Sequence, residues 1–466
     1  MFLLTHHILE DAFITWRVAQ NLLDYGVIGF NGETKISAST THLYVFVSWL
    51  FNLVFGKQYF IYPILLFNSI LFSIGSLFLS RMLLKNAILI VLFGILPPSI
   101  KISILGMEYG ILFFLEMALL YYGFHKGKNW AIWLFPSLIL FTRLDTVIFL
   151  GIVFLVDSFW YKKIRRDYVY SGIMAVALLV SFNWFYFGEL VNNTIVAKKI
   201  AYDKNYTILE SLDIFGSKLG NFWGMVKLPS DFNPFTLLVL LFSFICFIYL
   251  VKRKQERNYF LWVIVFFAWA KQTIFLSQKS YFDWYYWVPQ ILLFVPVLIF
   301  VLEQKERKNL WLSALLGFYI LPMLGYQTIH SVATGNGEWN QRRNIGLFLA
   351  QHEPNKNEWI LLEPAGYVPY FSGLKTIDEV GLVDKEIQAE ILKDKPNYWL
   401  NTVKNRRPKY LMPYEDLFKS KDSVFYKRNY QLIKEFDAES HLKSDNKLLE
   451  TIYKIKPSAR HYYLYK

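Results

Sequence analysis

The sequence predicts an α-helical, multi-pass membrane protein that ends in a soluble α/β domain, and three observations carry that expectation. Apolar runs of about 20 residues recur along the chain and are closed by short Lys/Arg clusters, the length and punctuation of membrane-crossing helices. The 466 residues are 55% hydrophobic and 19% aromatic, richer in aromatics than an ordinary soluble domain. From Thr334 the composition turns polar and charged. The boundaries that follow are a membrane part, 1–333, whose first outer loop covers 6–58, and an α/β domain, 334–466, lying outside the membrane.

Taken in order, the chain opens on two adjacent carboxylates, Glu10 and Asp11. Residues 11–24 read as an interfacial helix, because Arg17, Gln20, Asn21 and Asp24 form one polar stripe opposite Ala12, Phe13, Trp16, Ala19, Leu22 and Leu23. A turn at Gly29-Phe30-Asn31-Gly32 and a polar run ending at Thr41-His42 follow. Leu43 to Phe55 is apolar but only 13 residues long. At about 1.5 Å per residue it falls short of a hydrocarbon core roughly 30 Å thick, so it reads as a second interfacial helix. Ten spans are expected at 60–80, 87–105, 107–124, 129–142, 145–160, 168–187, 233–251, 259–278, 284–302 and 309–329. Basic clusters follow alternate spans, at Arg81/Lys85, Lys126/Lys128, Lys162–Arg166, Lys252–Arg257 and Lys305–Lys308, and these loops are assigned to the cytoplasm. The start of the chain with Glu10-Asp11, the loops near 106, 143, 188–232 and 279–283, and the C-terminal domain then share the outer face. In that domain Glu358–Leu362 and Leu374–Asp378 read as strands, Gly366–Gly373 as a turn-rich helical segment, and long polar helices are expected after them.

The net charge of +13 sits in short loops between apolar runs, so it reports topology and not nucleic-acid binding. Cys246 is the one cysteine, so no disulfide forms within the chain. His6, His7 and His42 have no Cys or carboxylate at ligand spacing beside them; no cofactor is called for, and a divalent metal is not supported by ligand spacing. The informative residues are polar groups beside apolar spans, where a charge costs about 2.5–3.5 kcal/mol at mid-bilayer. The outer turns gather five groupings: Glu10-Asp11; Gly106-Met107-Glu108; Arg143-Leu144-Asp145; Tyr186 to Lys199, with Asn193 and Lys198; and Phe282 to Trp287, with Trp284 and Tyr285. Carboxylates, cations and aromatics on one face suit an anionic, hydroxyl-rich substrate presented from the bilayer.

Read in order, these motifs resemble a bacterial family of the GT-C class of polyprenyl-phosphate-sugar-dependent glycosyltransferases, which includes terminal arabinofuranosyltransferases of cell-wall assembly. The resemblance lies in Glu10-Asp11-Ala12-Phe13-Ile14-Thr15-Trp16-Arg17, Gly29-Phe30-Asn31-Gly32-Glu33, Gly106-Met107-Glu108, Arg143-Leu144-Asp145, Tyr186 to Lys198, Trp284-Tyr285, Gly366 to Gly373 and Ile377 to Leu382. It departs at Glu10, where the family has Asp, and at Leu144 and Asn192, where it has Pro. Family members carry a span ahead of the acidic pair, whereas nine residues precede Glu10 here, so the native start is expected upstream.

The resemblance implies a GT-C fold and an inverting transfer of a sugar from a polyprenyl-phosphate donor to an envelope glycan or glycolipid. The expected place is the outer face of a bacterial cytoplasmic membrane. Asp11 takes the general base's position, supported by Glu10, against the plainer reading of a helix N-cap. Lys198 and Arg143 are expected on the donor phosphate, against interfacial snorkelling. Glu108 is expected on sugar or acceptor or paired with Lys101, and Asp145 at the site or simply neutralising Arg143. Asn193 is expected at the substrate, and Trp284 and Tyr285 stacked on a sugar or anchored at the interface. The competing reading, a transporter or flippase of lipid-linked saccharides, needs a charged path to both faces, for which Glu116 and Asp157 are the acidic residues well inside spans.

Overall fold

The computed structural model describes residues 5–84, 93–202, 207, 234–253, 255–276, 282–304 and 306–466. The first part of the chain is helical: α1 (Glu10–Tyr25), α2 (His42–Tyr59), α3 (Ile61–Leu83), α4 (Pro97–Ile104), α5 (Tyr109–Ala118, continued by a π-helical turn Leu119–His125), α6 (Asn129–Thr142), α7 (Val147–Tyr161), α8 (Arg166–Phe187), α9 (Asn193–Ala201), α10 (Pro234–Val251), α11 (Asn258–Leu276), α12 (Trp287–Leu302) and α13 (Glu306–Gly335).

Among the described residues three helical stretches are long and apolar enough to cross a membrane: Ile61–Leu83, Leu144–Tyr161 and Arg166–Phe187. A fourth is counted if α4 and α5 with its π-helical turn form one span, bent by 110° between them. Of the ten expected spans, those at 60–80, 145–160 and 168–187 meet that test among the described residues. The segments at 129–142 and 284–302 carry helices of 14 and 16 residues, each with an internal proline, Pro136 and Pro296. At 1.5 Å per residue these reach about 21 and 24 Å. The first part of the 87–105 span and much of the outer segment after Lys199 lie outside the described residues.

The helix expected over 43–55 runs from His42 to Tyr59 and breaks at Gly56, whose φ is 76°. α1 differs from an interfacial helix in its burial. Arg17 and Asn21, from the stripe expected to be polar and wet, are 9% and 5% exposed. The C-terminal domain covers Arg17, and Asn21 is turned onto its own loop, where its amide donates to the carbonyls of Val27 (3.1 Å) and Gly32 (2.7 Å).

That domain contains α14 (Arg343–His352), β1 (Trp359–Leu362), α15 (Tyr367–Ser372), β2 (Lys375–Asp378), α16 (Glu386–Lys393), α17 (Tyr398–Arg406), β3 (Tyr410–Met412), α18 (Ser423–Asn429), β4 (Leu432–Phe436), α19 (Lys447–Ile455) and β5 (Tyr462–Tyr465). The sheet order is β2-β1-β3-β5-β4; β2, β1 and β3 run parallel and β5 joins them antiparallel. Ile360 and Leu362 enter the core on one face and Leu361 the core on the other, as a strand buried on both sides requires. The strands expected at 358–362 and 374–378 are present within a residue. The long polar helices expected after them are instead helices of seven to nine residues alternating with three more strands. Tyr410-Leu411-Met412 is too short to show a period.

Candidate functional site

The opening motif works through two faces of α1. On one face Glu10, Phe13 and Arg17, at i, i+3 and i+7, meet the C-terminal domain. Glu10 Oε1 accepts the backbone N–H groups of Gly366 (2.5 Å) and Tyr367 (2.9 Å), and Arg342 Nη1 donates to Oε2 at 2.8 Å. Arg17 donates to the carbonyls of Leu374 (2.9 Å), Phe30 (3.3 Å) and Pro369. A carboxylate therefore holds the N-terminus of α15 and a guanidinium its C-terminus, each with the sign the helix dipole favours. Phe13 fills the space between them, its ring centroid 4.0 Å from that of Tyr367. The fit needs Gly366, because a Cβ there would lie 2.2 Å from the Glu10 carbonyl oxygen.

The other face of α1 lines a cleft. Asp11, Ile14 and Thr15 line it with Ala38 to Thr41, Met107-Glu108, Arg143, Thr194, Lys198, Trp284-Tyr285 and Leu382, around a cavity of about 40 Å³ that opens outward. Six of the nine sequence candidates thus share one cleft: Asp11, Glu108, Arg143, Lys198, Trp284 and Tyr285. The turn that carries Glu108 is the vertex of the bent α4–α5 pair. Tyr44 donates to the Gly106 carbonyl at 3.0 Å, and Asn68 to Tyr44 Oη at 2.7 Å and to the Met107 carbonyl at 3.2 Å. Gly106 has φ +80°, and a Cβ would meet the Trp16 ring at 2.9 Å, so glycine lets α1 sit on the vertex.

The floor is an alternating ion network. Arg143 is paired with Glu108, its Nε donates to Asp145 Oδ1 at 2.7 Å, and Lys271 Nζ lies 3.1 Å from Asp145 Oδ2. The guanidinium sits 5.3 Å from the Tyr109 ring and 5.1 Å from the Tyr285 ring. Each buried charge has an opposite neighbour, as burial demands. Two charges of the cleft stand apart from this network. Lys198 Nζ lies 4.2 Å from the Phe282 ring and 6.0 Å from the Trp284 ring, with no carboxylate in salt-bridge range among the described residues. Asp11 lies in the first turn of α1 without capping it and makes no hydrogen bond or ion pair among the described residues. Burial pushes its carboxyl above the ordinary aspartate value; Lys198 and Arg143 pull against that, while Glu108 and Glu363 add to it.

Three candidates lie outside the cleft lining. Glu10 is committed to Arg342 and α15. Asp145 stands behind Arg143 in the network. Asn193 donates to the carbonyls of Gly381 and Leu382, both at 3.0 Å, and accepts from Gln388 Nε2 at 2.8 Å, fastening α9 to the loop after β2. His42 bonds Asn183 Oδ1 through Nε2 at 3.0 Å among Phe141, Phe182 and Phe187, a packing role. Among the described residues no three His, Cys, Asp or Glu side chains converge as metal ligands.

Sequence reasoning missed Lys271 and the hydroxyls of Thr15, Ser39, Thr41 and Thr194. A lysine inside an apolar run was a usable signal for the first. The hydroxyls had none, since Ser and Thr are common at helix starts.

The comparisons with known proteins leave the membrane part unassigned. A family described as "Domain of unknown function (DUF8728)" matches residues 328–465, and no curated protein matches the chain.

Proposed function

We propose that this chain is a membrane glycosyltransferase of GT-C type, with about ten spans, on the outer face of a bacterial cytoplasmic membrane. It would move a sugar with inversion from a polyprenyl-phosphate donor to an envelope glycan or glycolipid. One observation carries the reading: a carboxylate and an ammonium, Asp11 and Lys198, face the same cleft without a protein charge partner among the described residues. A base and an anion site are the two groups such a displacement requires.

In the proposed step the acceptor hydroxyl oxygen bonds the anomeric carbon and its proton passes to Asp11. The bond from that carbon to the phosphate oxygen breaks, and the electron pair leaves on polyprenyl phosphate. A placed base contributes about 10²–10⁴ in rate. Lys198 meets the charge that develops on the leaving phosphate. Arg143, already shared by two carboxylates, orients Glu108 toward the cleft, and Trp284 supplies an apolar face for a sugar ring.

Reconstitution in vesicles with radiolabelled polyprenyl-phosphate sugars tests the reading. Transfer to an acceptor supports it, and translocation without transfer favours a flippase. Asp11→Asn is expected to lower transfer by about 10²–10⁴-fold with unchanged thermal unfolding. Full transfer by that variant removes Asp11 from the base's role.

A further inference from the structure

The polar run before α2 and the start of α9 place hydroxyls along one wall of the cleft, and two of them are unused by the fold. Thr41 is 2% exposed and Thr194 5%, and neither Oγ1 has a hydrogen-bond partner among the described residues. Both residues line the same cleft as Asp11. Thr41 is the N-cap of α2, where a threonine oxygen ordinarily accepts an N–H of the first turn, yet it makes no such bond. Glu108 is the N-cap of α5 and likewise leaves that position unbonded: its Oε1 takes Arg143, and Oε2, buried, has no partner among the described residues. Burying a polar atom without a partner is costly, so three of them on one small cavity need a common explanation. Next to them Thr15 and Ser39 bond each other at 2.9 Å and complete the polar wall.

We infer that Thr41, Thr194 and Glu108 Oε2 read the hydroxyl groups of the sugar ring, making the two threonines specificity-determining residues; this rests on the glycosyl-transfer reading above. The chemistry suits a polyol. Threonine hydroxyls both donate and accept, while the free carboxylate oxygen only accepts, so the matching ligand offers several O–H groups at short spacing. A lipid tail offers none, and a bare phosphate dianion would repel Glu108. The wall therefore takes the sugar and leaves the phosphate to Lys198.

The test uses the full chain in detergent with a panel of polyprenyl-phosphate pentofuranoses and hexopyranoses and their monodeoxy analogues. Thr41→Val and Thr194→Val keep shape and remove the hydroxyl. Each is expected to lower kcat/KM for the preferred intact donor about tenfold and to shrink the preference over one monodeoxy analogue. Thr194→Ser is expected to restore both, and it carries the test with Thr194→Val if Thr41→Val fails to fold. Equal losses on intact and deoxy donors, or no loss, overturn the inference while leaving transfer intact. Saturation-transfer NMR with methyl arabinofuranoside and methyl mannopyranoside separates the two readings. A contact weakened by Thr194→Val without any transfer by the wild type keeps the sugar wall and removes the transferase. A contact that Thr194→Val leaves unchanged removes the wall.

Discussion

Glu10 and Asp11 are neighbours in sequence and opposite in role, because a helix turns each residue by about 100° from the last. One carboxylate is spent on Arg342 and two backbone N–H groups; the other faces the cleft alone. Their chemistry should separate in the same way. Asp11 works as a base only when ionised, and burial holds its carboxyl above the ordinary aspartate value. Transfer is therefore expected to rise with pH through that raised value. Lys198→Met removes the cation that opposes the rise, so the acidic limb of the kcat/KM profile should move to higher pH. An unmoved limb would mean that the limb reports another group. Glu10→Ala should instead act on structure.

At the scale of elements, α15 shows how six residues with little intrinsic helicity become a fixed helix. Its two ends are held from outside by Glu10 and Arg17, seven residues apart on α1. Arg17→Met removes the charged donor shared by the carbonyls of Phe30, Pro369 and Leu374, of which the last two keep only their local N–H and hydroxyl partners, a loss of about 1.5–3 kcal/mol. Chemical or thermal unfolding of the purified chain should show it. The next turn adds a pH device. Asp378 closes β2 and accepts the N–H groups of Leu382 and Val383, both at 2.8 Å. Burial pushes its carboxyl up to about 6, against those N–H groups. The folded chain therefore binds this proton more tightly than the unfolded chain. Its contribution is complete below the unfolded value of about 3.9 and is lost as pH rises through about 6. Melting temperature should fall over that interval in the wild type and lose that slope in Asp378→Asn.

For the whole molecule, the cleft is a composite. Its walls come from α1, the loop before α2, the α4–α5 vertex, the Arg143 turn, α9, the Trp284 turn and the loop after β2, spread over more than 300 residues. Asn31 and Asn193 stitch the halves together: Asn31 exchanges hydrogen bonds with the Thr376 backbone (2.8 and 2.9 Å), and Asn193 holds the Gly381–Leu382 carbonyls. The C-terminal domain is thus part of the cleft's frame. Hydrogen exchange should report this coupling. Glu10→Ala is expected to raise exchange in both 10–21 and 366–374 while leaving 61–83 unchanged. Faster exchange confined to one of the first two segments would show that they open independently.

The sequence by itself determined the helical, membrane-suited character of the first part and the change at about Thr334. It also placed strands at 358–362 and 374–378, each within a residue of its observed start, and supplied the list from which six cleft residues come. Those features are written in composition, period and local polarity. Tertiary structure alone decided the rest. Which of two adjacent carboxylates faces the cleft depends on what covers the other side of α1. That Arg17 is buried depends on a domain more than 300 residues away. Lys271 pairs with Asp145, and two threonine hydroxyls are left without a partner among the described residues, because distant helices converge. Period reveals which face of an element is apolar; only packing decides what that face, and the polar one opposite, will meet.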